Sequence, residues 1–336
     1  MKKSFCLLIS GFLVFSLVFA GSAKAASATT FISFATKPIG GTFYYITAGM
    51  AAIFTKYAGV KVAVEPTRGS IEWGPLMEAG EVELAMDNAV DSGGAYRGSE
   101  LFRVGKGKLT NFRLLAAGHV TLMSFWTRPD TGIKSIEDFT GKRIVIDTPP
   151  GAVTTLATGL HVVDDYYKLK GKYKRLQIGS PAECTNALIE GKIDVYQFVV
   201  GPHIEQLKRT VGVQAIPVPK EAAEYAGKKS PGMYPAVIPK GLYGLKEAIP
   251  CIGWRAVVVA REDLDAQLVY KLLDTLYSHL KELHRVHPRA KLWVLENATK
   301  NPSVPFHPGA ISFYKDKGLW TPELERLQEQ NLAAGR

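Results

Sequence analysis

LIEGKIDVYQF, residues 188–198, reads as a helix end, a glycine stop and a strand with an acidic early position, and LMEAGEVELAM, residues 76–86, reads the same way. Glycine often ends a helix because it takes the left-handed conformation without penalty, so each stretch alone says little. The surroundings of the two give them weight. Before the first lies VKVAVEP (60–66), where Val60, Val62 and Val64 alternate as in a strand. Ser70 is then the expected cap of a short helix that runs to Gly80, and VELAMDN (82–88) returns as a strand. Strand, helix, strand is the pattern of a parallel sheet covered by helices. From about residue 118 the pattern starts again. Ser135-Ile-Glu-Asp138 has the form of a capping box, RIVID (143–147) reads as a buried strand and AVTTLATGLHVVDDYY (152–167) as a helix. Ser180-Pro-Ala-Glu183 is a stronger start, with an N-cap, proline at the first helical position and glutamate at the third. Two similar α/β lobes are expected rather than one long sheet.

The entry into the first lobe is ATKPIGGTFYYITAGMAAIFTKYA, residues 35–58. Phe43, Ile46, Met50, Ile53 and Tyr57 recur at steps of three and four and lay one apolar stripe along a helix. Thr42 is the expected N-cap, and Gly40 and Gly41 keep Cβ atoms away from the first free N–H groups. A helix start carries about half a positive charge, so the place suits an anion. At the other end of the chain, Leu264, Leu268, Leu272, Leu276, Leu280 and Leu283 form a stripe read as a core face. HPGAISFYKDKGLW (307–320) reads as a further helix closed at Gly318.

The first 25 residues are read as a signal peptide cut after Ala25: two lysines, an apolar run of 16 residues from Phe5 to Ala20, then Ala23-Lys24-Ala25. A membrane anchor needs about 20 apolar residues, which this run does not reach. The expected location is the periplasm. Without Lys2, Lys3 and Lys24 the mature chain keeps 38 basic residues of the 41, against 31 acidic. An exported chain has little use for nucleic acid, and KLKGKYKR (168–175) is read as a solvated helix end whose charge steers anions. Cys184 and Cys251 alone cannot build a disulfide framework, so stability must come from apolar cores.

No GxSxG elbow, GxxxxGK[ST] loop or dinucleotide fingerprint occurs. His284 and His287 stand three apart but Pro288 follows and no third metal ligand suggests itself. His307 precedes a helix start, and Cys184 on the Ser180 helix reads as a small buried apolar residue. Neither a catalytic group, a metal nor a cofactor is expected, and a binding protein is the better supported class.

GGTFYY (40–45), TRGSIEWGPLMEAGEVELA (67–85), AYRG (95–98), SIEDFTGKRIVI (135–146), EGKIDVYQFVVGPH (190–203), IPKGLYG (238–244) and FHPGAISFYKDKG (306–318), in this order, resemble the solute-binding proteins of TAXI-type TRAP transporters, the TRAP-associated extracytoplasmic immunogenic proteins. The resemblance implies an α/β, two-lobed periplasmic binding protein (type II-like), each lobe a mostly parallel sheet flanked by helices, with the ligand cleft between lobes. It implies capture of a small carboxylate, such as a dicarboxylate, an amino acid or a bulkier organic acid, and delivery to the TRAP membrane subunits. Lobe I is expected over 26–117 plus 253–336 and lobe II over 118–252. An ABC-importer binding protein shares this architecture, and an enzyme on the same scaffold, using Cys184 or His203, is a further alternative.

Gly41, Thr42 and Ser70, at helix starts, are the physical anion sites. Motif positions in the resemblance add Tyr45, Arg68, Asn88, Gly151, Phe198 and Gly201. A helix start contributes only about 0.3–1 kcal/mol, whereas micromolar affinity needs about 8 kcal/mol. Several charge-assisted hydrogen bonds of about 1.5–3 kcal/mol each must therefore converge. The chain departs from the family pattern at Arg68-Gly69-Ser70, Trp73, Asp87 and TPPGAVTT (148–155). Arg68 is expected to pair with a carboxylate, Trp73 to stack on an apolar part of the ligand and Asp87 to accept an ammonium.

Overall fold

The computed structural model describes residues 30–102, 107–147 and 153–336. The signal-peptide expectation and Gly151 lie outside the described residues. Among the described residues no helix is long and apolar enough to cross a membrane.

The chain opens with β1 (Phe31–Thr36), a strand the sequence reading passed over. Next come α1 (Thr42–Tyr57), β2 (Lys61–Pro66), α2 (Ser70–Glu78), β3 (Leu84–Asn88) and α3 (Ala89–Arg97). β1 pairs in parallel with β2 and with β3, as the strand–helix–strand alternation requires. Both helix starts sit one residue earlier than expected: Gly41, extended at φ −87°, is the N-cap of α1, and Gly69 that of α2. Gly69 has φ +100°, a conformation glycine adopts far more readily than other residues.

β4 (Phe112–Thr127) and, much later, β10 (Ile249–Arg261) are the long strands of the fold. They run antiparallel against each other from Phe112↔Arg261 to Met123↔Ile252. Between them come β5 (Arg143–Val145), α4 (Val153–Gly159), β6 (Lys174–Arg175), α5 (Pro181–Ile189), β7 (Val195–Val199), α6 (His203–Thr210), β8 (Gln214–Ile216), α7 (Lys220–Lys229) and β9 (Tyr234–Ile238). The sheet order is β2-β1-β3-β10-β4-β7-β5-β6, with β8 on β4 and β9 on β10. Parallel strands thus lie at the two ends of the sheet, and the long antiparallel pair joins them.

The apolar core is divided in the same way. One cluster gathers β1, α1, β3, the first half of β4, the second half of β10 and the C-terminal helices, from Ile32 to Leu324. The other two hold Met123, Phe125 and Trp126 from the far half of β4, Cys251, Ile252 and Trp254 from β10, and the elements between, with Val90 and Phe102 reaching in from the first half. This is a two-lobed α/β fold, but on one continuous sheet, which corrects the expectation of lobes without a long sheet: β4 and β10 are long enough to run through both halves and join their strands.

Local signals account for several elements. Ser180 Oγ accepts from the Glu183 N–H, and the Ser135–Asp138 capping box forms over a single 3-10 turn, Ile136–Phe139. The helix expected over 152–167 changes winding after Gly159 and continues as a π-helix over Leu160–Tyr166. His161, on that segment, is held by Asp165 at 3.1 Å and by Ser230 Oγ at 3.1 Å. The leucine stripe divides between α8 (Ala266–Ser278) and α9 (Leu280–Leu283), with Leu272, Leu276 and Leu283 buried on the first cluster. α10 (Pro308–Asp316) and α11 (Pro322–Gly335) close the chain.

Candidate functional site

A cavity of about 420 Å³ lies between the two halves, walled on one side by α1, α2, β3, α3 and the Pro288–Leu292 turn, and on the other by α4 and the β7–α6 junction. Of the residues singled out in the sequence, Thr42, Arg68, Ser70, Asn88, Phe198 and Gly201 come together on its walls. Gly41 sits beside them as the cap of α1. Two others do not join. Tyr45 points outward on α1 and is 47% exposed. Trp73 is fully buried, with its ring edge-on to Phe112 and its indole N–H donating to Asp87 Oδ2 at 2.9 Å. It is a core residue of α2, which corrects the expectation that it stacks on a ligand. Arg68 is 79% exposed at its side chain and pairs with Glu72 one turn on, so it stands at the rim.

Asp87 does accept an ammonium, but that of Lys37. Lys37 Nζ lies 2.5 Å from Asp87 Oδ1 and 2.9 Å from Asp91 Oδ2. Asp87 also accepts the Asn88 backbone N–H at 2.8 Å. Burial pulls the Lys37 ammonium down, but the two carboxylates more than offset this and hold its pKa above the ordinary lysine range. Burial, partly countered by Lys37, pushes Asp87 up. Asp91 is also pushed up by burial, yet Lys37 and its hydrogen bonds win and hold it down. Asp91 further accepts from Thr154 Oγ1 of α4, a contact across the cavity from one lobe to the other. Asn88 links this cluster to β10, since the Trp254 indole N–H donates to Asn88 Oδ1 at 3.1 Å.

The opposite end of the cavity is built by groups the sequence reading missed. His119 sits in the middle of β4, fully buried, with its ring 5.2 Å edge-on to Phe43. The Trp293 indole N–H donates to His119 Nδ1 at 3.1 Å. That indole lies flat against Gly118, where any Cβ would fall inside the ring. Arg289 comes from the turn after the leucine stripe and donates to the Val200 carbonyl at 3.4 Å, a second contact between the lobes. His287 in the same turn touches Thr42 Oγ1 at 3.3 Å and accepts the Arg289 backbone N–H at 3.0 Å. His284, its expected neighbour in any metal pair, instead bonds the Trp293 carbonyl region at 3.2 Å. Among the described residues no cluster of metal-ligating side chains forms.

His203 stands at the lobe II wall in an aromatic box of Trp126, Tyr196 and Phe198, with ring centroids 5.4–5.9 Å away. Its Nε2 is buried and unpartnered, and burial lowers its pKa to about 4. Burial, with the Arg289 charge and the His287 ring nearby, takes His119 down to about 3. Both imidazoles are neutral at pH 7. No motif revealed Arg289 or His119: one is an arginine in a turn that also carries Lys291, the other a lone histidine inside an apolar strand.

Comparison with known proteins agrees with this architecture. The sequence model of the NMT1-like family matches residues 34–318. Among solved structures, the chain is similar to a TctC solute binding protein from Polaromonas, with 15% identity, 79% of this chain and 90% of that one covered and a TM-score of 0.54. It is similar to a binding protein component of an ABC phosphonate transporter from Pseudomonas aeruginosa, at 13% identity over 91% and 97%, TM-score 0.51. A protein from Xanthomonas citri bound to ATP matches at 10% identity over 91% and 97%, TM-score 0.52. At these identities the likeness is one of fold.

Proposed function

The chain belongs to the NMT1-like family, and from that premise we propose that it is a periplasmic solute-binding receptor that takes a small carboxylate-bearing ligand into the cavity between its lobes. The observation that carries the reading is the cavity itself: it is walled by both lobes, and its polar residues include Arg289, Lys37, Thr42 and Ser70 beside the apolar faces of Phe43, Ile71, Phe198 and Trp254. A concave, partly apolar site with a few convergent polar groups is the usual form of a small-ligand site.

The proposed lobes are 26–117 plus 253–336 and 118–252. The divided core supports that division in the main, since Ala117 and Ala256 fall in the first cluster and Met123 and Ile252 in the second, while Trp254, just inside lobe I by these bounds, packs with the second and moves the return crossing on to between Trp254 and Ala256. β4 and β10 then serve as the hinge strands, and ligand contacts from both walls favour the closed state. The Asp91–Thr154 and Arg289–Val200 contacts already bridge the two walls and are the ones expected to break on opening.

The membrane partner in this reading is a TRAP-type transporter, on the strength of the TAXI-like motifs. An ABC importer is the second reading, favoured by the likeness to a component of an ABC phosphonate transporter. Genes adjacent to this one for a fused TRAP membrane subunit, or for an ATPase, separate the two.

The experiment is thermal shift of the chain from Ala26 against dicarboxylates, amino acids, keto acids, aromatic acids, sulfonates and sugars. A ligand at a hundredfold excess over its Kd stabilises the folded state by about 2.7 kcal/mol, a shift of roughly 5 °C for a chain of this size. Acids should give that shift and sugars should not. A shift with sugars alone removes the carboxylate reading.

A further inference from the structure

Proton positions at one end of the cavity are dictated by neighbours that can only donate. An indole N–H has no lone pair to offer, so His119 Nδ1, which receives the Trp293 N–H at 3.1 Å, must be bare. The proton of the neutral ring is therefore on Nε2. That Nε2–H belongs to a ring with no exposed surface, has no partner in the protein and stands on the cavity wall. A buried donor left without an acceptor gives up its hydration with nothing in return. Structures seldom carry that cost unless something else supplies the acceptor.

The same reasoning applies to His287. Its Nδ1 receives the Arg289 backbone N–H at 3.0 Å, so its proton is also on Nε2 and is donated to Thr42 Oγ1 at 3.3 Å. Having accepted from His287, the Thr42 hydroxyl is left to point its own hydrogen elsewhere. Arg289 uses one of its five N–H groups on the Val200 carbonyl, through a long bond of 3.4 Å. Thr42, His119 and Arg289 all line the same cavity. At the other end, Lys37 is shared by Asp87 and Asp91, and Asp91 and Asn88 on the wall are already bonded to Thr154 and Trp254.

We propose that Thr42, His119 and Arg289 form a subsite of converging donors that holds the ionised carboxylate of the ligand in preference to an amide, alcohol or ammonium at that place. The inference rests on the receptor reading above and deepens it. His119 Nε2 and Arg289 offer hydrogens and no lone pair, and the Thr42 hydroxyl, already accepting from His287, still has its hydrogen to give, which fits a group that only accepts. A carboxylate has about four acceptor positions and no hydrogen. An amide of the same size would turn its NH₂ toward N–H donors, and an ammonium would meet the Arg289 charge. The arginine supplies attraction and the neutral histidine supplies selectivity, because an imidazole N–H fixed by Trp293 cannot rotate into an acceptor. The anchor thus lies at a residue of the C-terminal turn rather than only at the helix starts that the sequence suggested.

The test follows the seven histidines of the full chain by nitrogen-15 labelling, with the His119 signals assigned through their loss in His119→Gln. The free protein should show His119 protonated at Nε2 and bare at Nδ1. Titration with acetate should move the Nε2–H resonance saturably, and acetamide should leave it in place. Arg289→Met should weaken the acetate response at least tenfold, and Arg289→Lys should restore part of it. A proton on Nδ1, an acetate response absent in the wild type, or equal responses to acetate and acetamide would overturn the subsite. Failure of the receptor reading has a different signature. Acids that stabilise wild type and Arg289→Met equally leave a receptor without this subsite. An acetate response that needs Arg289, in a chain that no organic acid of the panel stabilises, leaves the subsite without the receptor.

Discussion

Asp87→Ala is expected to lose about 3 kcal/mol of folding stability, toward the lower end of the roughly 3–5 kcal/mol seen when one member of a buried ion pair is removed. Asp87 has no exposed surface and accepts three hydrogen bonds, from Lys37 Nζ, the Trp73 indole and the Asn88 backbone. Truncation leaves the Trp73 N–H buried with no acceptor, which alone costs about 1–3 kcal/mol. Lys37 keeps Asp91 and is 21% exposed, which limits the remainder. Asp87→Asn separates lost volume from lost acceptors, because it keeps the shape but turns an NH₂ toward one of these donors. Its expected cost is about 2 kcal/mol, read as a lower urea midpoint at unchanged slope. An Asn variant as stable as the wild type would show that the cluster is held by packing and not by proton acceptance.

The second large effect is acid sensitivity. His119 and His203 have folded pKa values of about 3 and about 4, against an unfolded value near 6.5. Between about pH 6.5 and pH 4 the unfolded chain therefore binds protons that the folded chain refuses. Stability is fully present above pH 6.5 and falls as pH drops through that window. A histidine excluded from protonation costs about 1.4 kcal/mol per pH unit in this range, so His119 alone should remove roughly 3 kcal/mol by pH 4, and His203 adds to it. Asp87, with its pKa raised, works in the opposite sense and offsets part of the loss. Asp91, held down, adds to the loss only at lower pH. His203→Phe tests the sign without disturbing the Trp293 contact. A phenyl ring fits a box of Trp126, Tyr196 and Phe198 and removes an unpartnered buried nitrogen. The variant should be at least as stable as the wild type at pH 7 and should show a shallower decline toward pH 4. An unchanged slope would mean that His203 is protonated in the fold.

Much of the fold was written in local chemistry. Gly40-Gly41-Thr42 before an amphipathic stripe, the Ser180 cap, the Ser135–Asp138 box and the Val60–Val64 alternation each act within a few residues and each produced its element. β4 and β10 were harder to read. Both are buried over nearly their whole length, so FRLLAAGHVTLMSFWT shows no alternation, and their pairing joins residues more than a hundred positions apart. Trp73 was misplaced for a similar reason. Its neighbours in sequence lie at a helix start on the cavity, yet its own ring turns inward to an aspartate on β3, and no period announces a buried donor–acceptor pair. Likewise His119 takes its meaning from Trp293 and Arg289, which the chain brings back only after 170 residues or so. Six of the ten residues proposed for the ligand site do meet at one cavity, while the groups that set its charge, Lys37, Asp91 and Arg289, carried no motif.

On the proposed function, the two lobes close on a ligand held between them. Small-angle scattering of the full chain measures it most directly, taken without ligand and with a saturating amount of the acid that gives the largest thermal shift. The bound form is expected to have a smaller radius of gyration and a scattering curve that matches the present structure, in which Asp91 meets Thr154 and Arg289 meets Val200 across the cavity. Identical curves with and without a ligand whose binding is proven would contradict it.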